Sequence, residues 1–286
     1  MRRLFLLISF LILITPFSLI KAQVLDGVYV KEHVPVRNPI PYTSLREADV
    51  MWSKKIIRQL DLKEKLNHPF YYPTKPMADR KSLLQLIIWG FEFASKTAYE
   101  FQLTNPLTYE IVAPITTQEA MMALGDRIDT IPKKDIDGNI IGDTIVATKV
   151  IERTFEVNTF IMKEEWFFDR QRSVMDVRII GLAPMRYYEN PEVPGNYLRA
   201  VPFWIYFPEF RDLFAKTEVF NPKNDAERRT YDDLFWKRKF SSFIIKESNV
   251  YNDRPIGTYA IGLEAMLEGE KVKDFIFQME HNLWEY

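Results

Sequence analysis

The stretch Lys163–Pro184, KEEWFFDRQRSVMDVRIIGLAP, constrains the fold of this chain more than any other. Trp166, Phe167 and Phe168 precede a charged centre, and Val177, Ile179, Ile180 and Leu182 follow it. Two apolar runs around a polar centre predict a β-hairpin turning near Asp169–Ser173. Its register can be argued from charge. A loop of three or five residues sets Phe168 opposite Val174, Phe167 opposite Met175 and Glu164 opposite Arg178. A loop of two or four sets Glu165 against Asp176 and Lys163 against Arg178, like charges that oppose pairing. An odd loop is therefore expected. The segment has no histidine, cysteine or glycine-rich turn, so it reads as a surface for another protein. Trp166, Phe167, Phe168, Arg170 and Arg172 are its candidate contact residues.

The first 22 residues follow the order of a secretory signal peptide. Met1-Arg2-Arg3 is basic, Leu4–Ile14 is apolar apart from Ser9, and Ala22 offers a small cleavage residue. The apolar run is shorter than the ~20 residues that span a bilayer. Export with cleavage after Ala22 is expected, a retained anchor being the alternative. Cleavage would leave 264 of the 286 residues, and losing Arg2, Arg3 and Lys21 would move the formal charge from −1 to −4. That balance does not suggest nucleic acid. The chain has no cysteine, so it forms no disulfide and carries no lipid-acceptor cysteine of its own. No other stretch approaches a membrane span. Aromatic residues make up 14%, and exposed aromatics with arginine are what protein interfaces select.

Along the chain the pattern predicts an α+β fold, with a helical N-terminal part followed by a mixed part holding an antiparallel sheet and C-terminal helices. Residues 23–43 form an extended leader whose Pro35, Pro39 and Pro41 keep it out of regular structure. It is either a strap laid across another surface or a plain linker. Residues 44–130 are expected to be mainly helical. Ser44 with Glu47 reads as a capping box, and Leu45, Ala48, Trp52, Ile56 and Leu60 fall on one helical face. A second, largely buried helix is expected over Asp79–Phe93. Thr116 with Glu119 caps a third, reaching about Asp129. Residues 131–147 read as an exposed hairpin and domain boundary around Asp137-Gly138-Asn139. Residues 148–286 form the α+β part. Strands are expected near Thr148–Val157, Phe203–Phe207 and Phe243–Ile245, with a helix after Pro208 and another capped by Asn224 or Asp225 reaching Lys239. Two last helices cover Ile261–Leu267, ended by Gly269, and Val272–Leu283. The run Pro202–Pro208 is either a core strand or an edge strand open to a neighbour.

Catalytic chemistry finds little support. His33, His68 and His281 lack metal-ligand spacing, and no phosphate loop or nucleophile elbow is present. Glu164, Glu165, Asp169 and Asp176 beside aromatics could suggest a glycan-active carboxylate pair, but strand alternation puts Glu164 and Glu165 on opposite faces. Asp225, Glu227, Asp232 and Asp233 could suggest a cation site, but read better as acids at a helix start and on its solvated face. Arg228, Arg229, Lys237, Arg238 and Lys239 read as a solvated helix face or a seat for acidic partner residues. A soluble solute-binding protein is a further alternative.

Several long blocks resemble one family. READVMWSKKIIRQLDLKEKLNHPFYYP (Arg46–Pro73), the Lys163–Pro184 segment, PFWIYFPEFRDLFAKTEVFNPKNDAERRTYDDLFWKRKFSSFIIKESNVYNDR (Pro202–Arg254) and MEHNLWEY (Met279–Tyr286) are similar to the gliding-motility GldN, or PorN, proteins. The resemblance implies a periplasmic, non-enzymatic component of the type IX secretion system of Bacteroidetes-type bacteria. It implies pairing with an outer-membrane lipoprotein, GldK (PorK), in a ring of many copies, and contact with the periplasmic region of GldM (PorM). It implies no catalytic residue, no cofactor and no metal.

Overall fold

The Lys163–Pro184 segment does form the central hairpin, and the other elements are arranged around it. The structure is a computed structural model that describes residues 37–77, 80–101, 109–134, 140–148, 154–190, 193, 195–224 and 226–283, with residues 127–148 described by backbone alone. In chain order the strands are β1 Val50–Asp61, β2 Ala98–Phe101, β3 Ile111–Ile115, β4 Arg127–Lys134, β5 Ile140–Thr148, β6 Val157–Asp169, β7 Val174–Glu189, β8 Tyr197–Ala200, β9 Trp204–Tyr206, β10 Glu218–Val219, β11 Arg229–Thr230 and β12 Phe243–Glu247. The helices are α1 His68–Tyr71, α2 Leu83–Phe93, α3 Thr117–Leu124, α4 Phe207–Lys216, α5 Tyr231–Trp236 and α6 Leu263–Leu283. An eight-stranded sheet runs β12-β1-β6-β7-β9-β2-β3, with β8 also on β7. Its pairings are antiparallel. β4 and β5 make a separate ladder, and their Asp137-Gly138-Asn139 turn lies outside the described residues.

The fold is mixed α and β, but it does not begin with a helical part. The expected first helix is β1, an interior strand of the sheet between the edge strand β12 and β6. Trp52, Ile56 and Leu60 are four apart, a spacing that keeps side chains together in a strand as well as in a helix. The residues between them decide the matter. Met51, Ser53 and Lys55 are exposed, Ile57 is buried on the opposite face, and Arg58 is buried beside Ile56 and Leu60. Ser44 and Glu47 form no capping box, and only a single 3-10 turn spans Glu47–Asp49.

Other expectations hold in kind and shift in extent. The helix α2 is largely buried, but Ser82 caps it through Gln85 and it starts at Leu83. Thr116 and Glu119 form the predicted box on α3, which stops where Gly125 turns left-handed at φ 113°. α5 is shorter than expected. Thr230, boxed with Asp233, is its cap, whereas Asn224 accepts a bond from the Ala226 amide in a local turn. The two expected C-terminal helices are one. Gly269 lies inside α6 because the helix crosses β12 there, and a Cβ at Gly269 would sit 2.9 Å from the Ile244 carbonyl oxygen. Residues 154–156 form a 3-10 turn rather than strand. β9 lies between β7 and β2, and Trp204 and Ile205 are fully buried, so Pro202–Pro208 supplies a core strand.

The described residues between 37 and 283 cluster as one compact unit. Even-numbered positions of β1 and β6 face two apolar groups. Leu60, Phe160 and Met162 join a large core with α1, α2, α4 and α5, rich in the tilted and edge-to-face rings of Phe70, Phe207, Phe210, Phe214 and Phe235. Ile56, Trp52 and Trp166 join a smaller one with Ile244 and with Val272 and Ile276 of α6. On the reverse face, Ile57, Ile161 and Ala183 meet Phe101 and Trp204.

Candidate interaction surface

The hairpin's turn has four residues, Arg170–Ser173, between paired Asp169 and Val174. Phe168 thus faces Met175 and Glu165 faces Arg178, one residue away from the expected odd-loop register. This even loop satisfies the charges that the other even registers would oppose. Local chemistry holds it. Asp169 accepts from the Gln171 and Arg172 amides at 2.9 and 3.3 Å and from Arg172 Nε at 2.7 Å. Ser173 closes the turn at φ 53°. The Arg172 side chain beside Asp169, with those amides, holds its carboxyl below the usual range. Arg172 also reaches Asp176 at 3.1 Å. Further along, a bulge between Lys163 and Glu164 shifts the pairing by one.

Glu164 separates the two apolar groups on the helical face. Its side chain is fully buried and accepts from Arg58 Nε, from Trp166 Nε1 at 3.1 Å and from Arg238 Nη1 at 2.9 Å. Arg238, held at φ 49°, lays its guanidinium 5.1 Å from both the Trp166 and Phe240 rings. Burial pushes the Glu164 carboxyl up, but the Arg238 and Arg58 charges and the hydrogen bonds outweigh it and hold the group below its ordinary value. Two cations around one carboxylate let a charge persist inside the sheet where an unpaired one would not.

A second polar seat fastens the chain ahead of β1. At the hairpin's β6 side, the Arg170 amide donates to the Asp49 carbonyl at 2.8 Å. The preceding residues cross to the β7 side, where Arg178 Nη2 donates to the Thr43 carbonyl at 2.5 Å. The Tyr42 ring stacks on Trp236 at 5.8 Å and lies 4.3 Å from the Arg211 guanidinium and 5.1 Å from that of Arg178. Arg211 is itself buried and bidentate on Asp232 at 2.9 and 3.1 Å. Arg37 pairs with Asp233 at 2.8 Å. Tyr42, Arg211, Asp176 and Trp236 border a pocket of about 180 Å³. Burial raises the Tyr42 hydroxyl above its usual range, against the lowering effect of Arg211.

These contacts place the sequence candidates. Phe167 and Phe168 are buried, Trp166 is half-buried under Arg238, and Arg170 and Arg172 are exposed at the turn. Pro39 is half-buried, Pro41 is exposed, and Pro35 lies outside the described residues. The residues that fasten the strap (Tyr42, Arg178, Arg211, Asp232, Trp236) are not ones that sequence reasoning identifies as a seat. They lie far apart along the chain, and of them only Tyr42 stands in the proline-rich leader.

The carboxylates that could suggest chemistry have structural partners. Asp232 binds Arg211, Asp233 caps α5, and Glu227 binds Arg229 at 2.9 Å. Arg238 of the basic run is committed to Glu164. His68 lies against Tyr72 with ring centroids 5.8 Å apart, and His33 is outside the described residues. Among the described residues no group of three metal-ligating side chains converges, and no helix is long and apolar enough to cross a membrane.

The described residues form an antiparallel sheet whose charged hairpin is locked by internal ion pairs, with the chain ahead of β1 fastened over its flank. The chain matches the family described as gliding motility associated protein GldN over residues 45–285 and belongs to it. That family comprises gliding-motility and type IX secretion components and is not a known enzyme family. No curated protein matches the chain.

Proposed function

We propose that this protein is a non-enzymatic building block of the type IX secretion and gliding apparatus. It is exported by its N-terminal signal, works in the periplasm, and is held at the outer membrane by the lipoprotein GldK. It repeats as copies in a ring and meets the periplasmic region of GldM. The observation that carries this reading is the family match across residues 45–285.

Geometry supports the non-catalytic part. A general acid on a glycosidase needs a carboxyl with a raised pKa. Glu164 is held in the opposite direction, fully buried between two arginines, and Asp169 is tied into its turn. Asp169 and Asp176 both receive Arg172, and Glu164 is closed in by Arg58 and Arg238, which supports a structural role for these carboxylates.

The leader's described end, from Arg37, is bound to its own chain. We assign the lipoprotein contact to the residues before it, Pro35 among them, together with Pro39, Pro41 and the exposed Arg170 and Arg172. The test is affinity purification of the tagged chain from cells that make the lipoprotein, with sizing and imaging. Co-purification as one very large species is expected. A lone monomer with the lipoprotein present would refute the reading.

A further inference from the structure

The helix α6 buries one stripe and leaves another bare. Val272, Ile276 and Gly269 face β12, whereas Leu263, Met266, Leu267 and Phe277 are 72, 61, 54 and 68% exposed. At 3.6 residues per turn these four fall within an arc of roughly 100° on the side away from the core. A helix that has already buried one apolar stripe gains nothing within its own chain from a second, and such surface marks a contact site. The flanking charge is acidic. Glu264, Glu268, Glu270, Asp274 and Glu280 stand against Lys271 and Lys273, a net of −3 over the helix. A helix lying on a lipid surface carries Lys and Arg on its polar side, so this one is made for protein.

The same chain holds a surface of opposite character. Where the chain leaves β1 and enters α1, a groove of about 280 Å³ is lined by Leu62, Lys63, His68, Tyr71, Tyr72 and Asn158. The Tyr71 and Tyr72 rings meet edge to face at 5.0 Å and form its aromatic wall. Tyr72 on its wall is 51% exposed, and Leu66, between Leu62 and His68 in the chain, is 56% exposed. The span Leu62–Met77 carries Lys63, Lys65 and Lys75 against Glu64, a net of +2.

We propose that the outer face of α6 docks into the Leu62–Tyr72 groove of a second copy, head to tail. An apolar, acidic helix suits an apolar, basic groove. Because the two patches differ and both lie on one chain, each copy offers a free helix to one neighbour and a free groove to the next. This is the heterologous contact that extends into rings or filaments. The inference rests on the reading that copies of this chain meet, and it names the surfaces by which they do.

Charge reversal in pairs tests it, on the full mature chain purified alone and together with the lipoprotein. One variant carries Glu270→Lys with Asp274→Lys, and the other Lys63→Glu with Lys65→Glu. All four positions are exposed, and matched melting curves check folding. Each variant alone should self-associate at least tenfold more weakly than the parent by sedimentation. An equimolar mixture should regain assembly, because each reversed helix then meets a reversed groove. Phe277→Ser and Leu66→Ser, made separately, should weaken assembly without changing charge. Assembly that survives every variant, or a groove variant that assembles as the parent does, would overturn this pairing and leave the proposed function standing. Absence of any large species, with or without the lipoprotein, would overturn both.

Discussion

Replacing Glu164 with alanine should strip the counter-charge from a buried cation. Arg58's side chain is only 9% exposed and its guanidinium is aimed at Glu164, whereas Arg238, at 28%, can turn toward water. Removing one partner of a buried pair costs about 3–5 kcal/mol because the remaining charge is uncompensated. For a chain of this size each 1 kcal/mol lowers Tm by about 2–4 °C, so a loss of roughly 6–20 °C is expected. The double variant Arg58→Met with Glu164→Leu replaces the ions with apolar side chains of similar length and should recover most of the loss. Acid gives an independent reading. Glu164's carboxyl is held below its ordinary value in the folded chain. Its contribution is therefore complete above the unfolded pKa of about 4.3 and is lost as pH falls through the lower folded value. Urea unfolding from pH 7 to pH 3 should show that loss in the parent, and the Glu164→Gln variant should lack that part of the slope. An alanine variant within about 1 kcal/mol of the parent would refute the argument, since arginine at this site would then be reaching solvent.

Gly269→Ala should push α6 from the Ile244 carbonyl at a cost of about 1–3 kcal/mol, seen as faster amide exchange in Phe243–Glu247 as well as in the helix. Tyr42→Ala removes a ring stacked on Trp236 and Arg211. It should expose residues 37–46 to limited proteolysis while the core's unfolding free energy falls by no more than about 3 kcal/mol. Arg37→Ala, whose own side chain is 47% exposed against a half-buried Asp233, should change stability by less than about 1 kcal/mol in denaturant titration. Phe214→Ala, in the aromatic cluster with Phe207, Phe210 and Phe235, should cost about 3–5 kcal/mol by the same measurement.

Local chemistry is legible in the amino-acid order. Thr116 and Glu119 form their box because a side chain three residues ahead reaches the free amides of its own first turn. The hairpin at Lys163–Pro184 forms because apolar and charged residues alternate around a turn-prone centre. Gly125 ends α3 early with the left-handed geometry a glycine adopts at little cost. Of the candidate interaction surface, the sequence marks the hairpin and the proline-rich leader, but not the seat in which Tyr42 lies. Arg178, Arg211 and Trp236 come from a strand and two helices that only folding brings to one place.

The division between the two levels follows the range of the forces involved. The Thr116–Glu119 box and the family resemblance rest on neighbours along the chain, and the amino-acid order alone is enough to read them. Trp52, Ile56 and Leu60 fit a helix and a strand equally, and only the partners β6 and β12 make them a strand. The hairpin's register rests on Asp169 gathering the turn amides, a balance among registers one residue apart. Gly269 looks like a helix end until a strand carbonyl 2.9 Å from its missing Cβ explains it. The strand at β1 and the glycine inside α6 each depend on atoms supplied from a distant part of the chain, and local periodicity carries no record of them.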